Sequence, residues 1–462
     1  MKTMSGYFYK ELRGDTLTPI SILKKISGQK KFLLESSHKY NDSGRYSFIG
    51  SDPALELISF DDSNKLVKRT GEVQLLKGNP LEVVKNLLPE RNYPDLPFPF
   101  LAGAVGYVGY DIIRQFEEIG EVLNNSLEMP DVHLMFYEEI IVFDHLQEKV
   151  IICGIPLIKE SDDSAIEKRI QQRVEELKQP DIYQEEEPFH FEGFEPETSK
   201  EMFIKNVEIA KEHIKAGDIF QVVLSRRMKS SFKGSPLSLY RKHRANNPTP
   251  YMFYIEFEEC TVVGSSPESL IKTRGKVVTA NPIAGTKRRG STFDEDQSIE
   301  KELLADEKEL AEHKMLVDLG RNDLGRVCEF GTVQVEKYMN VERFRHVMHL
   351  VSEVTGQLKP EYTALDAIAA CLPAGTVSGA PKIRAMEIIN NLEESKRGLY
   401  SGAVGYVSAN GNMDFALAIR TMILKEGIAY IQAGAGIVYD SNPEAEYEET
   451  VNKLKGFLEG EK

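Results

Sequence analysis

Along the first third of the chain, apolar residues alternate with polar ones or fill several positions in a row. "KKFLLES", "RYSFIG", "LELISF", "VHLMFYEEIIVFDH" and "KVIICGI" are β-branched or aromatic runs separated by turn residues, so residues 1–155 predict a sheet-rich unit. The period then changes. Ile166, Ile170 and Val174 recur four apart, which predicts a helix over 164–178. The next stretch, 179–200, is acidic, proline-punctuated and without a clear period, as a linker would be. Ser199 as N-cap and Gly217 as stop bound another helix. Strands are expected in "FQVVLSRRM", "YMFYIEF" and "CTVVGSS", and helices over 298–320 and 443–458. The expected division is therefore 1–178, a linker at 179–200, and 201–462.

Composition narrows the class. The chain has 462 residues, long for one ordinary core, and its 41% hydrophobic and 28% charged residues suit a globular protein. A net charge of −15 argues against nucleic acid as the main ligand, because phosphate contacts need basic surface. No apolar run approaches the length of about 18 residues that a membrane span requires. "MKTMSGYFYK" has no apolar h-region, and the four cysteines are scattered without a CxxC pattern, so a reducing cytoplasmic setting is expected. The glycines of "FLAGAVGYVGYDII" lack the order of a dinucleotide fingerprint. Tryptophan is absent.

Candidate chemistry lies in the second half. Glu309 and Glu312 project about 60° apart on a helix, with Leu316 between them and Leu319 nearby. Carboxylates on an apolar-flanked face call for a cation. The last helix, opened by Ser441 or Asn442 and Pro443, repeats the pattern with Glu446, Glu449 and Lys453 beside a separate apolar stripe. Four glutamates make an oxygen donor set suited to Mg²⁺; the other reading of E-x-x-E is a solvated helix surface. Three small-residue turns could hold anions: Gly285-Thr286, "PAGTVSGAPK" with Thr376, and Gly434-Ala435-Gly436. Arg420 is expected inside an apolar strand, "ALAIRTMIL", where it needs a partner, and Tyr400 can add a hydroxyl. His349, in an apolar segment with His346 nearby, is either a packed core residue or a general acid or base.

Taken together, these segments resemble the chorismate-utilising enzymes and, among them, the anthranilate synthase large subunits. The resemblance runs through "LLES", "RYSFIG", "AGDIFQVVLSRR", "NPTPYMFY", "GSSPESL", "PIAGT", "AEHKMLVDLGRNDLGRV", "VMHLVSEVTG", "PAGTVSGAPK", "AIRTM" and "QAGAGIV…EAEYEET". It implies an α+β fold of large, mostly antiparallel sheets packed as a sandwich with helices outside. It implies Mg²⁺ held by Glu309, Glu312, Glu446 and Glu449. Gly285, Thr286 and Lys453 would meet the ring carboxylate of chorismate, and Arg420, Tyr400 and the Gly434–Gly436 segment its enolpyruvyl carboxylate. Glu268 would protonate the departing hydroxyl, and His349 would move a proton as pyruvate leaves. Glu35, Ser36, Pro250, Tyr251 and Met252 would form a tryptophan feedback pocket in and beside residues 1–178. A separate glutamine amidotransferase subunit would supply ammonia in a heterotetramer. Two positions discriminate within the family. Ala284 stands where aminodeoxychorismate synthase relatives commonly carry a lysine nucleophile, and Gln221 where isochorismate and salicylate synthases carry a lysine base. Both favour direct attack by ammonia, giving anthranilate. An aminodeoxychorismate synthase and a catalytically silent tryptophan sensor remain as the alternatives.

Overall fold

The structure is a computed structural model, and it describes the chain except residues 1, 5, 38–43, 89–90, 92, 94–95, 181–186, 344–346 and 459–462, together with the side chains of 2–4 and 456–458. His346 and part of the 179–200 segment therefore lie outside the described residues.

Two large antiparallel sheets carry the fold, of fourteen and twelve strands among the described residues. The first sheet runs from the N-terminal strands through Phe32–Glu35, Tyr251–Glu256, Cys260–Ser266, Thr421–Lys425 and Ile428–Ile437 to the long strand Gln221–Gly234. The second runs from Ile283–Arg288 through Val347–Gln357, Ser269–Arg274 and Ala403–Ser408 to Gly103–Val108 and Val73–Lys77. Strands from both sides of the 179–200 segment meet in each sheet. Phe253 faces Leu34 in the first, and Gly405 faces Gly106 in the second.

Side-chain alternation explains how one strand serves two cores. Phe32 joins the large cluster between the sheets, where Phe48 and Phe253 of the first sheet meet Leu57, Tyr107 and Tyr406 of the second. Leu33, one residue on, faces the outer cluster with Ile166, Ile170 and Val174 of the helix Asp163–Lys178. The helices lie against the outer faces, as the packing of Phe203 and Val207 with Ala385 and Ile389 on Leu224 also illustrates.

Local signals read from the sequence are met where the chain caps itself. Ser199 accepts from Met202 N at 3.2 Å and opens the helix Lys200–Lys215, and Gly217 follows at φ +82°. Asn442, rather than Ser441, caps the last helix, Pro443–Leu458, accepting from Ala445 N at 3.1 Å. The helix expected over 298–320 is two helices, Phe293–Ala305 and Glu307–Val327. Asp306 ends one and caps the other, its carboxylate accepting from Glu309 N at 3.2 Å. The run "VHLMFYEEIIVFDH" is likewise two strands, Val132–Tyr137 and Glu139–Asp144, one in each sheet.

Candidate active site

The site begins with a bulge. Strands Ile283–Arg288 and Val347–Gln357 pair antiparallel, and their register slips between Ala284 and Thr286. Gly285 is the extra residue, at φ +67°, a conformation that glycine adopts without cost. A Cβ here would come within 3.3 Å of Glu309 Oε2 and 3.2 Å of Leu303 and Leu350, so glycine also admits the acid-bearing helix. Ala284 faces Leu350 in the ladder.

The slip sets Thr286 opposite His349. His349 Nδ1 lies 3.1 Å from the Gly285 carbonyl and 3.0 Å from Thr286 Oγ1. A carbonyl only accepts, so Nδ1 carries the hydrogen and the lone pair resides on Nε2. Burial depresses the His349 pKa, and the charge of Arg420 lowers it further against the opposing effect of the Gly285 bond. The ring is thus a neutral base near neutral pH.

Glu268 is buried between strands Cys260–Ser266 and Ser269–Arg274. Burial pushes its carboxyl up to about 7, although the Thr376 hydroxyl, donating at 2.8 Å, and the charge of Lys453 pull it down. Thr376 lies in the turn Gly375–Val377, and Gly375 packs so closely on Leu319 and Leu316 that a Cβ would strike Leu319. The leucines that flank the acid pair in sequence thus press the turn carrying Thr376. A cavity of about 50 Å³ lies here, bounded by Glu268, Thr376, Pro282, Leu316 and Asp323.

Glu309 and Glu312 are half-buried on the helix Glu307–Val327. Burial raises the Glu309 pKa, and the charges of Glu312 and Asp306 add to it, with Lys287 opposing. Glu446 is also half-buried and raised, by burial first and Glu449 next, while its Ser441 bond, Lys453 and Lys308 oppose. The influence of Lys308 on Glu446 indicates that the first turn of one acid helix approaches the other. Glu449 is more exposed and pairs with Lys453 at 2.7 Å. Among the described residues no group of three or more His, Cys, Asp or Glu stands ready to hold a metal. The four glutamates therefore form two pairs rather than one closed cage.

Gln221 joins the acid pair to the opposite wall. Its Nε2 lies 3.4 Å from Glu312 Oε1, and its buried amide oxygen has no hydrogen-bond partner among the described residues. A Cβ on Gly436 would lie 2.7 Å from Gln221 Nε2, and one on Gly434 would lie 2.8 Å from the Tyr400 hydroxyl. Here the structure corrects the sequence reading. Gly434, Ala435 and Gly436 are not a turn but part of strand Ile428–Ile437, paired with Ser225, Leu224 and Val223. Their glycines permit close approach. Pairing with Thr421–Lys425 ends at Ile431, so the strand's other edge is open beyond it among the described residues. Lys453 Nζ donates to the Gly434 carbonyl at 2.9 Å. Burial pushes Tyr400 up to about 12, which keeps its hydroxyl a neutral donor.

Arg420 is not inside a strand either. It lies in the crossover between Met413–Leu417 of one sheet and Thr421–Lys425 of the other, at φ +49°. No hydrogen bond or carboxylate partner engages its guanidinium among the described residues. The side chain remains open to solvent, yet lies deep enough among protein atoms that desolvation lowers its pKa. Its charge is felt by both His349 and His243.

The residues expected to form a second pocket gather around strands Phe32–Glu35 and Tyr251–Glu256. Met252 faces Glu35 across the ladder. Glu35 Oε2 accepts from the Tyr240 hydroxyl at 2.7 Å and lies 3.4 Å from Arg244 Nε. Ser36 and Met252 are buried, and Pro250 and Tyr251 are half-buried, the Tyr251 hydroxyl donating to Asp414 at 3.0 Å. Sequence reasoning passed over His243, whose Nε2 lies 2.6 Å from Ser265 Oγ, and the ion pair of Glu393 with Arg397. Glu393 closes the helix Lys382–Leu392 in extended conformation and Arg397 lies beyond it, so no helical spacing marked the pair.

Residues 29–459 match the profile of the chorismate binding enzymes. The chain belongs to that family. It is 45% identical to anthranilate synthase component 1 of Lactococcus lactis subsp. lactis (strain IL1403), over 97% of this chain and 98% of that one. It is also 45% identical to the component 1 of Acetivibrio thermocellus, over 97% and 93%. The crystal structure of anthranilate synthase component I from Streptococcus pneumoniae TIGR4 superposes with a TM-score of 0.83 at 43% identity, covering 96% of this chain and 98% of that one. The menaquinone-specific isochorismate synthase of Escherichia coli has the same fold, with a TM-score of 0.76 at 21% identity over 99% and 95%. The family's architecture of two antiparallel sheets with outer helices is the one found here.

Proposed function

We propose that the chain is the large subunit of anthranilate synthase, converting chorismate and ammonia to anthranilate, pyruvate and water. Relatives 45% identical along nearly the whole chain support this family member over its cousins. Among chorismate chemistries, the observation that carries the choice is the pair Ala284 and Gln221. Ala284 packs beside the Gly285 bulge and offers no amine for a covalent intermediate, and Gln221, bonded to Glu312, is no base for activating water.

In this reading the substrate's two carboxylates divide between two walls. Gly285, Thr286 and Lys453 serve the ring carboxylate. Arg420, the Tyr400 hydroxyl and backbone N–H groups near Gly434 serve the enolpyruvyl carboxylate. The Arg420 guanidinium, unpartnered among the described residues, suits a ligand that brings its own negative charge. Glu268, its carboxyl held near 7, gives its proton to the C4 hydroxyl, which departs as water while ammonia bonds to C2. Neutral His349 then takes the C2 proton and passes it to the enolpyruvyl methylene as the C–O bond breaks, and the ring becomes aromatic.

The two acid pairs fit a divalent cation. All donors are hard oxygens, and Glu309 and Glu446 are both raised by burial and by a neighbouring acid in spite of the lysines nearby. Glu309, Glu312, Glu446 and Glu449 would hold Mg²⁺ directly or through water. When bound, it supplies positive charge against the ring carboxylate.

The name component 1 of the relatives points to a second component, here a glutamine amidotransferase that delivers ammonia in a heterotetramer. Glu35, Ser36, Pro250, Tyr251 and Met252 form the tryptophan feedback pocket, regulated from residues 1–178. The enzyme works in the cytoplasm; no helix among the described residues is long and apolar enough to cross a membrane. The test is product analysis from chorismate, Mg²⁺ and an ammonium salt, with and without tryptophan. Anthranilate with equimolar pyruvate is expected, and less of both with tryptophan. Accumulating aminodeoxychorismate, or tryptophan binding without turnover, would overturn the assignment.

A further inference from the structure

Arg397 lies outside every role assigned above, yet its side chain is 1% exposed and all of its N–H groups are engaged. Nε and one terminal nitrogen grip both oxygens of Glu393, at 2.8 and 2.6 Å. The same terminal nitrogen donates to the Val223 carbonyl at 2.7 Å. The other donates to the Val377 carbonyl at 2.7 Å, with Ser401 Oγ at 3.4 Å. The guanidinium carbon lies 4.9 Å from the ring centroid of Tyr110 and 5.7 Å from that of Tyr400.

Each acceptor belongs to a segment that carries part of the site. Val377 follows Thr376, which holds Glu268. Val223 is two residues beyond Gln221, which meets Glu312. Tyr400 is three residues past Arg397 itself. Glu393 extends the knot, because its Oε1 accepts from both N and Oγ of Ser225 at 2.9 Å. Strand Gln221–Gly234 pairs with Gly379–Ala380 near its start and with Glu195–Pro196 farther along. Between those two pairings the carboxylate and guanidinium take backbone groups of Ser225 and Val223.

We infer that Arg397 is a positioning residue for the reaction: its planar fork fixes the Thr376 turn, the Gln221 strand and the Tyr400 ring relative to one another. The inference rests on the proposed reading of the site. Lysine cannot reproduce it, because an ammonium lacks the five donors in a fixed plane that reach two carbonyls and a carboxylate together. If Arg397 acts through Thr376, its loss also alters Glu268, whose acidity that hydroxyl increases.

The experiment compares Arg397→Lys, the doubly neutral Arg397→Gln/Glu393→Gln, and Thr376→Val in the ammonia-dependent reaction across pH. The double variant leaves no lone buried charge, so it keeps the question open to measurement if Arg397→Lys fails to fold. We expect kcat to fall about 100-fold in both Arg397 variants, the scale of a reacting group misplaced by about 1 Å, with the KM for Mg²⁺ unchanged. The alkaline limb of the kcat profile should move to higher pH in both, as is expected of Thr376→Val. A kcat near wild type, or a lowered kcat with an unmoved alkaline limb, overturns the inference. Wild-type protein that forms no anthranilate overturns both it and the reading beneath it; wild-type turnover with unaltered variants overturns this inference alone.

Discussion

Arg397 and Arg420 border the same site from neighbouring stretches of chain, and their surroundings are opposite. Every donor of Arg397 has an oxygen acceptor, and Glu393 supplies its counter-charge. Arg420 has neither among the described residues, although desolvation already disfavours its charge. The acids divide the same way. Glu393 accepts from Arg397 and from N and Oγ of Ser225, whereas Glu268 holds one side-chain hydrogen bond and is pushed up to about 7. A group whose hydrogen bonds are complete within the chain itself contributes to the fold. A group left short contributes to whatever arrives. The site is thus a floor of incompletely satisfied charges held in place by a completely satisfied knot.

That division predicts which measurement each substitution moves. The largest effect should come from Glu268→Gln, which keeps shape and removes the proton donor. Loss of a positioned general acid costs about 10²- to 10⁴-fold, read in kcat, while the melting temperature holds or rises because no acid remains to be ionised in a buried place. A large fall in stability would move Glu268 to the structural side. Arg397→Ala should add a large loss of stability to the fall in kcat expected of a positioning residue. It strands Glu393 in the interior, and breaking a buried pair costs about 3–5 kcal/mol, measurable by denaturant unfolding.

Arg420→Met sharpens the contrast from the other side. With no partner to strand, stability should change by no more than about 0.5 kcal/mol. A charge-assisted hydrogen bond to a carboxylate is worth about 1.5–3 kcal/mol, so kcat/KM for chorismate should fall about 10- to 150-fold. If Arg420→Met instead destabilises the fold as Arg397→Ala does, the comparison fails.

The pH profile carries a smaller and more specific signal. Glu268 must be protonated to act, so kcat should decline as pH rises through about 7. His349 must be neutral, and its pKa is lowered from 6.5, so the acidic limb should lie below that value. Thr376→Val removes a bond that favours the ionised form of Glu268 and should shift the alkaline limb upward, leaving the acidic limb in place.

How much of this was legible in the chain follows the range of the interactions. Caps and periodicity are local, so the helices Asp163–Lys178, Lys200–Lys215 and Pro443–Leu458 were readable nearly to their ends. The break at Asp306 was not, because both flanking stretches have helical composition and only the capping geometry separates them. Sheet membership depends on partners far along the chain, Ile49 for Ile141 and Leu55 for Phe136, so "VHLMFYEEIIVFDH" gave no sign of dividing between two sheets. "AGAGIV" looked like a turn because glycine is ambiguous. What demands it is a close approach by Tyr400 and Gln221, visible only in three dimensions. Glu309 and Glu312 were legible as a pair by their spacing beside Leu316. That Arg420 lacks a counter-ion among the described residues was not, since a sequence names a charge without naming what faces it.

The smallest effect concerns Glu309 and decides whether the acid pairs belong to the incompletely satisfied floor. Its carboxylate is half-buried and faces the charges of Glu312 and Asp306, so in metal-free protein its ionised form is disfavoured. Replacing it with glutamine removes that repulsion while keeping the volume. Because the group is partly exposed, the gain should be small, no more than about 0.5 kcal/mol, seen as a slightly higher melting temperature in a chelator. Adding Mg²⁺ should reverse the order. A ligand at about 100 times its dissociation constant stabilises by about 2.7 kcal/mol, and the variant, with one donor fewer, should gain less than wild type. A crossing of the two stabilities on adding Mg²⁺ is the signature of a residue poised for a cation. If Glu309→Gln lowers stability in the chelator, or if Mg²⁺ raises both proteins equally, the acid pair is an ordinary helix surface and the contrast between the two arginines does not extend to it.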